Sequence, residues 1–318
     1  MAAAGAALLY TIEASRPFAE LLAIRLGVDV AASEERTFED GEHKIRPLTN
    51  PSGRDAFVTC SLFADDELGV DAKLCRLLFF SACLRDAGAR SVTALVPYLA
   101  YARKDRRTKD FDPVTSRYVA ELCEAAGITR IISLDVHSQM AFENAFRIPT
   151  LHLTAARLFV EHFVPLIGDA AVCVVSPDAG GAKRAEVVRQ ELAQALRREV
   201  GTVFLEKNRS DEGVSRGAVV GDVKDHVAII VDDLVSTGTT LEGAARACVQ
   251  RGAKRVYAAV SHGLFVGEAE RVVKSPALER IVVTNSVPVW RLAPSLIESR
   301  LDVLDATPLF ADALRAPA

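Results

Sequence analysis

Short apolar runs rich in β-branched residues alternate along the chain with longer stretches whose apolar positions recur every three or four residues. SVTALVP, RIISLD, AVCVVS, VAIIV and RVYAAVS read as strands. Leu74, Leu77, Leu78 and Leu84 fall at helical spacing, and Gly88 supplies a stop. Residues 114–126 read as a helix ended by Gly127, and 182–199 and 239–251 read as two more. MAAAGAALLY reads as a short tail entering the first strand. Alternating strands and helices predict βαβ units, an α/β fold with a mainly parallel sheet covered on both faces.

The pattern repeats. GARSVTALVPY begins at Gly88, and GAKRVYAAVSH begins at Gly252, about half a chain length later; each is a helix stop followed by a buried strand and a polar exit. We therefore expect two similar α/β domains, with a boundary near Ile148–Leu153. Ligands of open parallel sheets collect at the carboxyl ends of strands. The residues that follow the strands here are PYLAYARKDRRTKD, LDVHSQ, SPDAGGAKR, EKNRS and DDLVSTGTT, and most carry charges of both signs.

Bulk composition narrows the possibilities. A length of 318 residues suits two domains, and a net charge of −4 offers no basic field for nucleic acid. No apolar stretch reaches the roughly 20 residues of a membrane helix, so neither nucleic acid nor membrane is an expected partner. MAAAGAALLY lacks the basic residues of a signal peptide. Cys60, Cys75, Cys83, Cys123, Cys173 and Cys248 form no CxxC pair and read as buried free thiols of a cytoplasmic protein.

The chemistry concentrates in VDDLVSTGTTL. Ser236, Thr237, Gly238, Thr239 and Thr240 offer hydroxyls and backbone N–H groups at a helix N-terminus, a place for phosphate. A capping loop alone does not account for Asp232 and Asp233 beside it; a sugar phosphate does, because its hydroxyls donate to carboxylates. In YARKDRR, Arg103, Lys104, Arg106 and Arg107 surround Asp105 and suit an anionic ligand over a solvated surface loop. His137 and Asp178 both follow strand ends; a lone His is more often structural, but the two together fit the flanks of a magnesium ion. Lys207 and Arg209 precede the polar stretch SDEGVSRG, which reads as a closing loop able to bring cations to a transition state. FEDGEHKIRPL, with Phe38, Asp40 and Glu42, reads as a hairpin.

These segments, in this order, resemble the ribose-phosphate diphosphokinase (phosphoribosyl pyrophosphate, PRPP, synthetase) family along nearly the whole chain. FEDGEHKIR is similar to that family's FSDGE segment, VPYLAYARKDRR to IPYxxYARQDR, SLDVHS to its DLH motif and SPDAGGAKRAE to SPDxGGxxRA. EKNRS is similar to its Lys-x-Arg loop, and IIVDDLVSTGTTL to the PRPP loop shared with type I phosphoribosyltransferases. The resemblance implies two phosphoribosyltransferase-like domains, 1–149 and 150–300, and a segment 301–318 that packs back on the first. It implies transfer of the diphosphoryl group of ATP to the C1 hydroxyl of ribose 5-phosphate, with Mg²⁺ held by His137 and Asp178. It assigns Phe38, Asp40, Glu42, Arg103, Lys104 and Asp105 to ATP, and Lys207 and Arg209 to the transition state. Asp232 and Asp233 go to the ribose hydroxyls, and Ser236 to Thr240 to the 5-phosphate. It also implies a homo-oligomer whose active site is completed by a neighbouring subunit. Three departures set the chain apart: Lys104 stands where the common pattern has Gln, Ser236 where many members have Asp, and SQMAFENAFRIP lacks the usual Gln-x-Gly-Phe-Phe element. A silent regulatory subunit and a phosphoribosyltransferase are the alternative readings; the catalytic residues and the ATP-type segments count against them.

Overall fold

The computed structural model describes residues 7–205, 208–210, 213–215 and 219–316. They divide into two compact units, one running to Thr154 and resuming at Ala306, the other spanning Ala155–Asp305. The first contains β1 (Ala7–Thr11), α1 (Arg16–Leu26), β2 (Ser33–Thr37), β3 (His43–Pro47), β4 (Asp55–Thr59), α2 (Val70–Asp86) and β5 (Ser91–Val96). It continues with α3 (Thr115–Ala125), β6 (Arg130–Leu134), α4 (Gln139–Ala145) and β7 (Thr150–Leu153). The second contains α5 (Ala156–Ile167), β8 (Val172–Ser176), α6 (Ala182–Leu196), β9 (Gly201–Leu205), β10 (Asn208–Ser210), β11 (Gly213–Ser215) and β12 (Val219–Val220). It ends with β13 (Val227–Val235), α7 (Thr239–Gln250), β14 (Arg255–Gly263), α8 (Ala269–Val273), β15 (Arg280–Thr284), α9 (Pro294–Arg300) and β16 (Leu301–Leu304). Helix α10 (Thr307–Arg315) belongs to the first unit.

The first sheet runs β1-β4-β5-β6-β7, with every pair parallel. The second runs β12-β9-β8-β13-β14-β15-β16 and is parallel except for the edge pair β12–β9. Central strands are buried along their length, as in β8, because helices cover both faces. The sequence echo is a structural one. Gly88 and Gly252, at φ +86° and +90°, each close a helix in the left-handed conformation that favours glycine, and β5 and β14 follow as the third of five corresponding strands.

The units divide at 154/155 and 305/306, a few residues beyond the expected 149/150 and 300/301. The cause is strand pairing: Thr150–Leu153 joins β6 in the first sheet, and Leu301–Leu304 joins β15 in the second. Cys60, Cys123, Cys173 and Cys248 are buried, which pushes each thiol up to about 11 or 12. Cys75 departs from expectation: it is exposed, on the outer side of α2. Among the described residues no helix is long and apolar enough to cross a membrane.

Helix α10 returns to α1 through an apolar seam. Phe310 is fully buried, and its ring meets Phe18 edge-on with centroids 5.4 Å apart. Replacing Phe310 with Ala is expected to cost about 3–5 kcal/mol, the usual penalty for emptying an aromatic core position. Chemical denaturation followed by the loss of helical signal measures this; a cost near zero would mean that α10 is not anchored there.

Candidate functional site

In the second sheet the chain passes from β8 outward to β9, then returns to the other side of β8 as β13. Strand order reverses between β8 and β13, and such a switch point opens a crevice at the carboxyl ends of the two strands. Pairing of β8 with β13 ends at Ile230, whereas β13 stays paired with β14 through Val235. The expected exit after VAIIV is thus still strand. Asp232 and Asp233 lie within β13, on the stretch whose β8-side edge is uncovered, because β14 continues beside them.

Both acids are largely withdrawn from water, Asp233 at 5% exposure. The Asp233 N–H donates to Asp232 Oδ1 at 2.9 Å. Arg184 Nη1 stands 3.7 Å from Asp232 Oδ1 and 3.6 Å from Asp233 Oδ1, so one guanidinium serves two carboxylates. Burial, then the neighbouring Asp233 charge, push the Asp232 carboxyl up to about 7; Arg184 opposes this without overcoming it. Arg184 escaped the sequence reading. Its signal was present: α6 begins with Ala182, Lys183 and Arg184 and has no acid in its first turn, against the preference of the helix dipole.

The loop after β8 closes tightly. Ser176 Oγ donates to the Asp178 carbonyl at 2.7 Å, and the Gly181 N–H donates to Asp178 Oδ1 at 3.0 Å. A Cβ on Gly181 would stand 3.0 Å from Ser176 Oγ, so a side chain there crowds the turn that holds Asp178. After β13, Ser236–Thr240 turns into α7 through Gly238 at φ +78°. A Cβ at Gly238 would meet Val272 Cγ1 at 2.8 Å, so both conformation and space demand glycine. Thr237 and Thr239 are exposed, with their hydroxyl oxygens 3.3 Å apart, and Ser236 and Thr240 are half-buried. The second unit therefore brings together Asp178, Arg184, Asp232, Asp233 and the loop from Ser236 to Thr240.

The first unit carries the remaining candidates. Phe38, Asp40 and Glu42 form the turn of the β2–β3 hairpin: the Phe38 N–H donates to the Glu42 carbonyl at 2.7 Å, and the Glu42 N–H to Asp40 Oδ1 at 3.1 Å. Asp40 and Glu42 are exposed, and Arg36 lies over the Phe38 ring. The basic run leaves β5 through Tyr101, held at φ +61°. Arg103 is exposed, while Lys104 and Asp105 are half-buried. Lys104 Nζ is bound by Asp112, whose carboxylate also accepts from Thr108 Oγ1 at 2.8 Å and from the Thr108 and Lys109 N–H groups. The hydrogen bond from Lys104 leads the causes that lower the Asp112 pKa far below the usual range. His137 is exposed at the end of β6, between Asp135 at φ +35° and Ser138, the cap of α4.

Lys207 lies outside the described residues. Arg209 sits on β10, which pairs antiparallel with β11, so the described part of the expected closing loop is a short hairpin. Among the described residues no group of three or more His, Cys, Asp or Glu side chains is positioned to hold a metal. His137 and Asp178 lie in different units; a carboxylate such as Asp178 is a usual Mg²⁺ ligand, and an imidazole such as His137 an uncommon one.

Comparison with known proteins bears on the family and the fold. Residues 7–127 match the model of the N-terminal domain of ribose phosphate pyrophosphokinase, and residues 174–316 match the phosphoribosyl synthetase-associated domain. Ribose-phosphate pyrophosphokinase of Caldanaerobacter subterraneus is 33% identical over 96% of this chain and 93% of its own. That of Aquifex aeolicus is 35% identical over 95% and 92%. The crystal structure of phosphoribosylpyrophosphate synthetase from Mycobacterium smegmatis superposes with a TM-score of 0.87 at 31% identity, covering 98% of both chains. The fold is that of two phosphoribosyltransferase-like α/β domains. The chain belongs to the ribose-phosphate pyrophosphokinase family.

The acid pair gives a signed pH dependence. Asp232 is raised in the folded state, so between about pH 4 and pH 7 the native protein holds a proton that the unfolded chain has released. Its contribution to stability falls as pH rises through that window, and above it the full cost of the ionised pair is present. Asp232→Asn is therefore expected to stabilise the unliganded protein by roughly 1–3 kcal/mol at pH 8 and by little at pH 5. Urea midpoints at the two pH values test this; an equal gain at both would contradict the charge explanation.

Proposed function

We propose that this protein transfers the diphosphoryl group of ATP to the C1 hydroxyl of ribose 5-phosphate, giving 5-phosphoribosyl 1-diphosphate and AMP. The observation that carries the reading is the crevice at the ends of β8 and β13. There a buried acid pair, shared by one arginine, stands beside an anion loop that only glycine can turn. A phosphorylated sugar matches both halves. Loop N–H groups and hydroxyls from Ser236 to Thr240 receive the 5-phosphate at the N-terminus of α7. Asp232 and Asp233 accept hydrogen bonds from ribose hydroxyls and so fix the ring, while Arg184 holds the acids in place.

In the reaction the C1 oxygen bonds to the β-phosphorus, the bond from that phosphorus to the α–β bridging oxygen breaks, and AMP leaves with the bridging oxygen; the hydroxyl proton passes to solvent. Lys207 and Arg209 offset the negative charge that builds on the transferred group. Phe38, Asp40 and Glu42 take the adenine end of ATP, and Arg103, Lys104 and Asp105 the phosphate run. Lys104 reaches ATP only by leaving Asp112, which makes it the weakest member of the set. His137 and Asp178 are the residues that would hold Mg²⁺, which would neutralise triphosphate charge. The exposed Asp40–Glu42 tip of the hairpin suits a site completed by a neighbouring copy in a cytoplasmic homo-oligomer.

Purified protein supplied with ATP, ribose 5-phosphate and Mg²⁺ is expected to form AMP and PRPP in equal amounts, and chelation of the metal to stop both. Absence of both products under those conditions refutes the assignment. Lys207→Ala is expected to lower kcat by about 100- to 1,000-fold while changing the KM for ATP only slightly, since its interaction strengthens in the transition state. Equal losses in kcat and ATP affinity would move Lys207 to ground-state binding.

A further inference from the structure

The loop that receives the sugar phosphate rests on a floor built by the segment after β14. N–H groups of Leu264 and Phe265 donate to the Val235 carbonyl at 2.9 and 3.2 Å, and that of Val266 donates to the Ser236 carbonyl at 3.0 Å. Val272, on α8, fills the space beneath Gly238. The segment from β14 into α8 thus fixes where the loop stands.

One charged contact ties that floor to α7. Glu242 lies in the first turn of α7 and is 6% exposed, and its N–H donates to the Gly238 carbonyl at 2.9 Å. Its carboxylate accepts from Arg246 on the same helix at 2.7 Å and from Arg271 on α8 at 2.8 Å. Burial pushes this carboxyl up, but the two guanidiniums outweigh burial and leave it lowered, hence ionised. A buried anion one turn from the helix end that receives a phosphate opposes that phosphate unless it is neutralised.

We infer that Arg271 is a positioning residue for the sugar phosphate: together with Arg246 it neutralises Glu242, and, being on α8 where Arg246 is on α7, it ties α8 under the loop. The inference rests on Ser236–Thr240 being the ribose 5-phosphate loop. Arg271 is over half exposed, so its replacement leaves the core of the unit filled. Its importance is electrostatic and local to one substrate.

The test is a mutant cycle on the full-length enzyme, with KM for each substrate and kcat measured at low salt. Arg271→Ala is expected to raise the KM for ribose 5-phosphate about three- to tenfold, the size of a partly buried charge effect at a helix end, with little change in the KM for ATP or in kcat. Adding Glu242→Gln to Arg271→Ala is expected to restore most of the lost affinity, because the buried anion, left with the exposed Arg246 alone, is then gone. An unchanged ribose 5-phosphate KM in Arg271→Ala overturns the inference. So does a double variant as weak as the single one, which would make the contact mere packing. Wild-type enzyme that forms no PRPP would instead overturn the assignment of function.

Discussion

The site depends on β13 being longer on one side than on the other. Its pairing with β8 stops at Ile230 while its pairing with β14 runs on to Val235. This exposes one edge of a rigid strand just where two carboxylates sit, so their positions are set by a hydrogen-bonded ladder. Two acids so placed, with one arginine within 4 Å of both, hold two negative groups side by side in a crevice. Such a pair opposes folding, and an arrangement of this kind persists where a ligand makes use of it. In the proposed reading, hydroxyl donors on a sugar would bond to the acids without adding charge, so an anion loop and acids can serve one ligand.

The loop and the acids are supported by different means. Asp232 and Asp233 are held by strand pairing and by Arg184 on α6. The Ser236–Thr240 loop is held from below by the segment leading into α8 and by the Glu242–Arg271 contact. In the proposed reading the sugar ring and its phosphate would be held from these two sides of one sheet crevice, with the turn through Gly238 between them. Precision at the reacting C1 carbon follows from fixing the sugar at both ends.

What could be read from sequence was local. The β2–β3 hairpin, the glycine stops and the loop that opens α7 are each written in a few consecutive residues, and the structure has them where the pattern puts them. The strand through VDDLV was cut short because adjacent aspartates disfavour strands; only the neighbouring β14, absent from that window, keeps it extended. Arg184 and Arg271 were missed for a related reason. Their partners lie on other elements, 29 residues away for Glu242 and Arg271, and nothing in a sequence states how a helix is rotated against a strand. Lys104 shows the reverse case. The motif marks it for a ligand, yet the free protein gives it to Asp112, because a charge in a polar loop takes the nearest partner.

The two units put one fold to different uses. By strand order β1, β4 and β5 correspond to β8, β13 and β14, and α2 to α7. The fourth residue of each helix is a buried charge, Lys73 in α2 and Glu242 in α7. Lys73 is closed off: it pairs with Asp65 from the loop before its helix, and its ammonium lies 3.4 Å from the centroid of the Phe63 ring. Its loop carries Leu62 and Phe63, both buried. The candidate polar residues of the first unit lie instead at the hairpin and at the β5 and β6 exits. The second leaves its switch point open and neutralises the corresponding charge from the far side, through Arg246 and Arg271. The same helix position thus carries a charge of opposite sign in the two units, paired from the preceding loop in one and from α7 and α8 in the other.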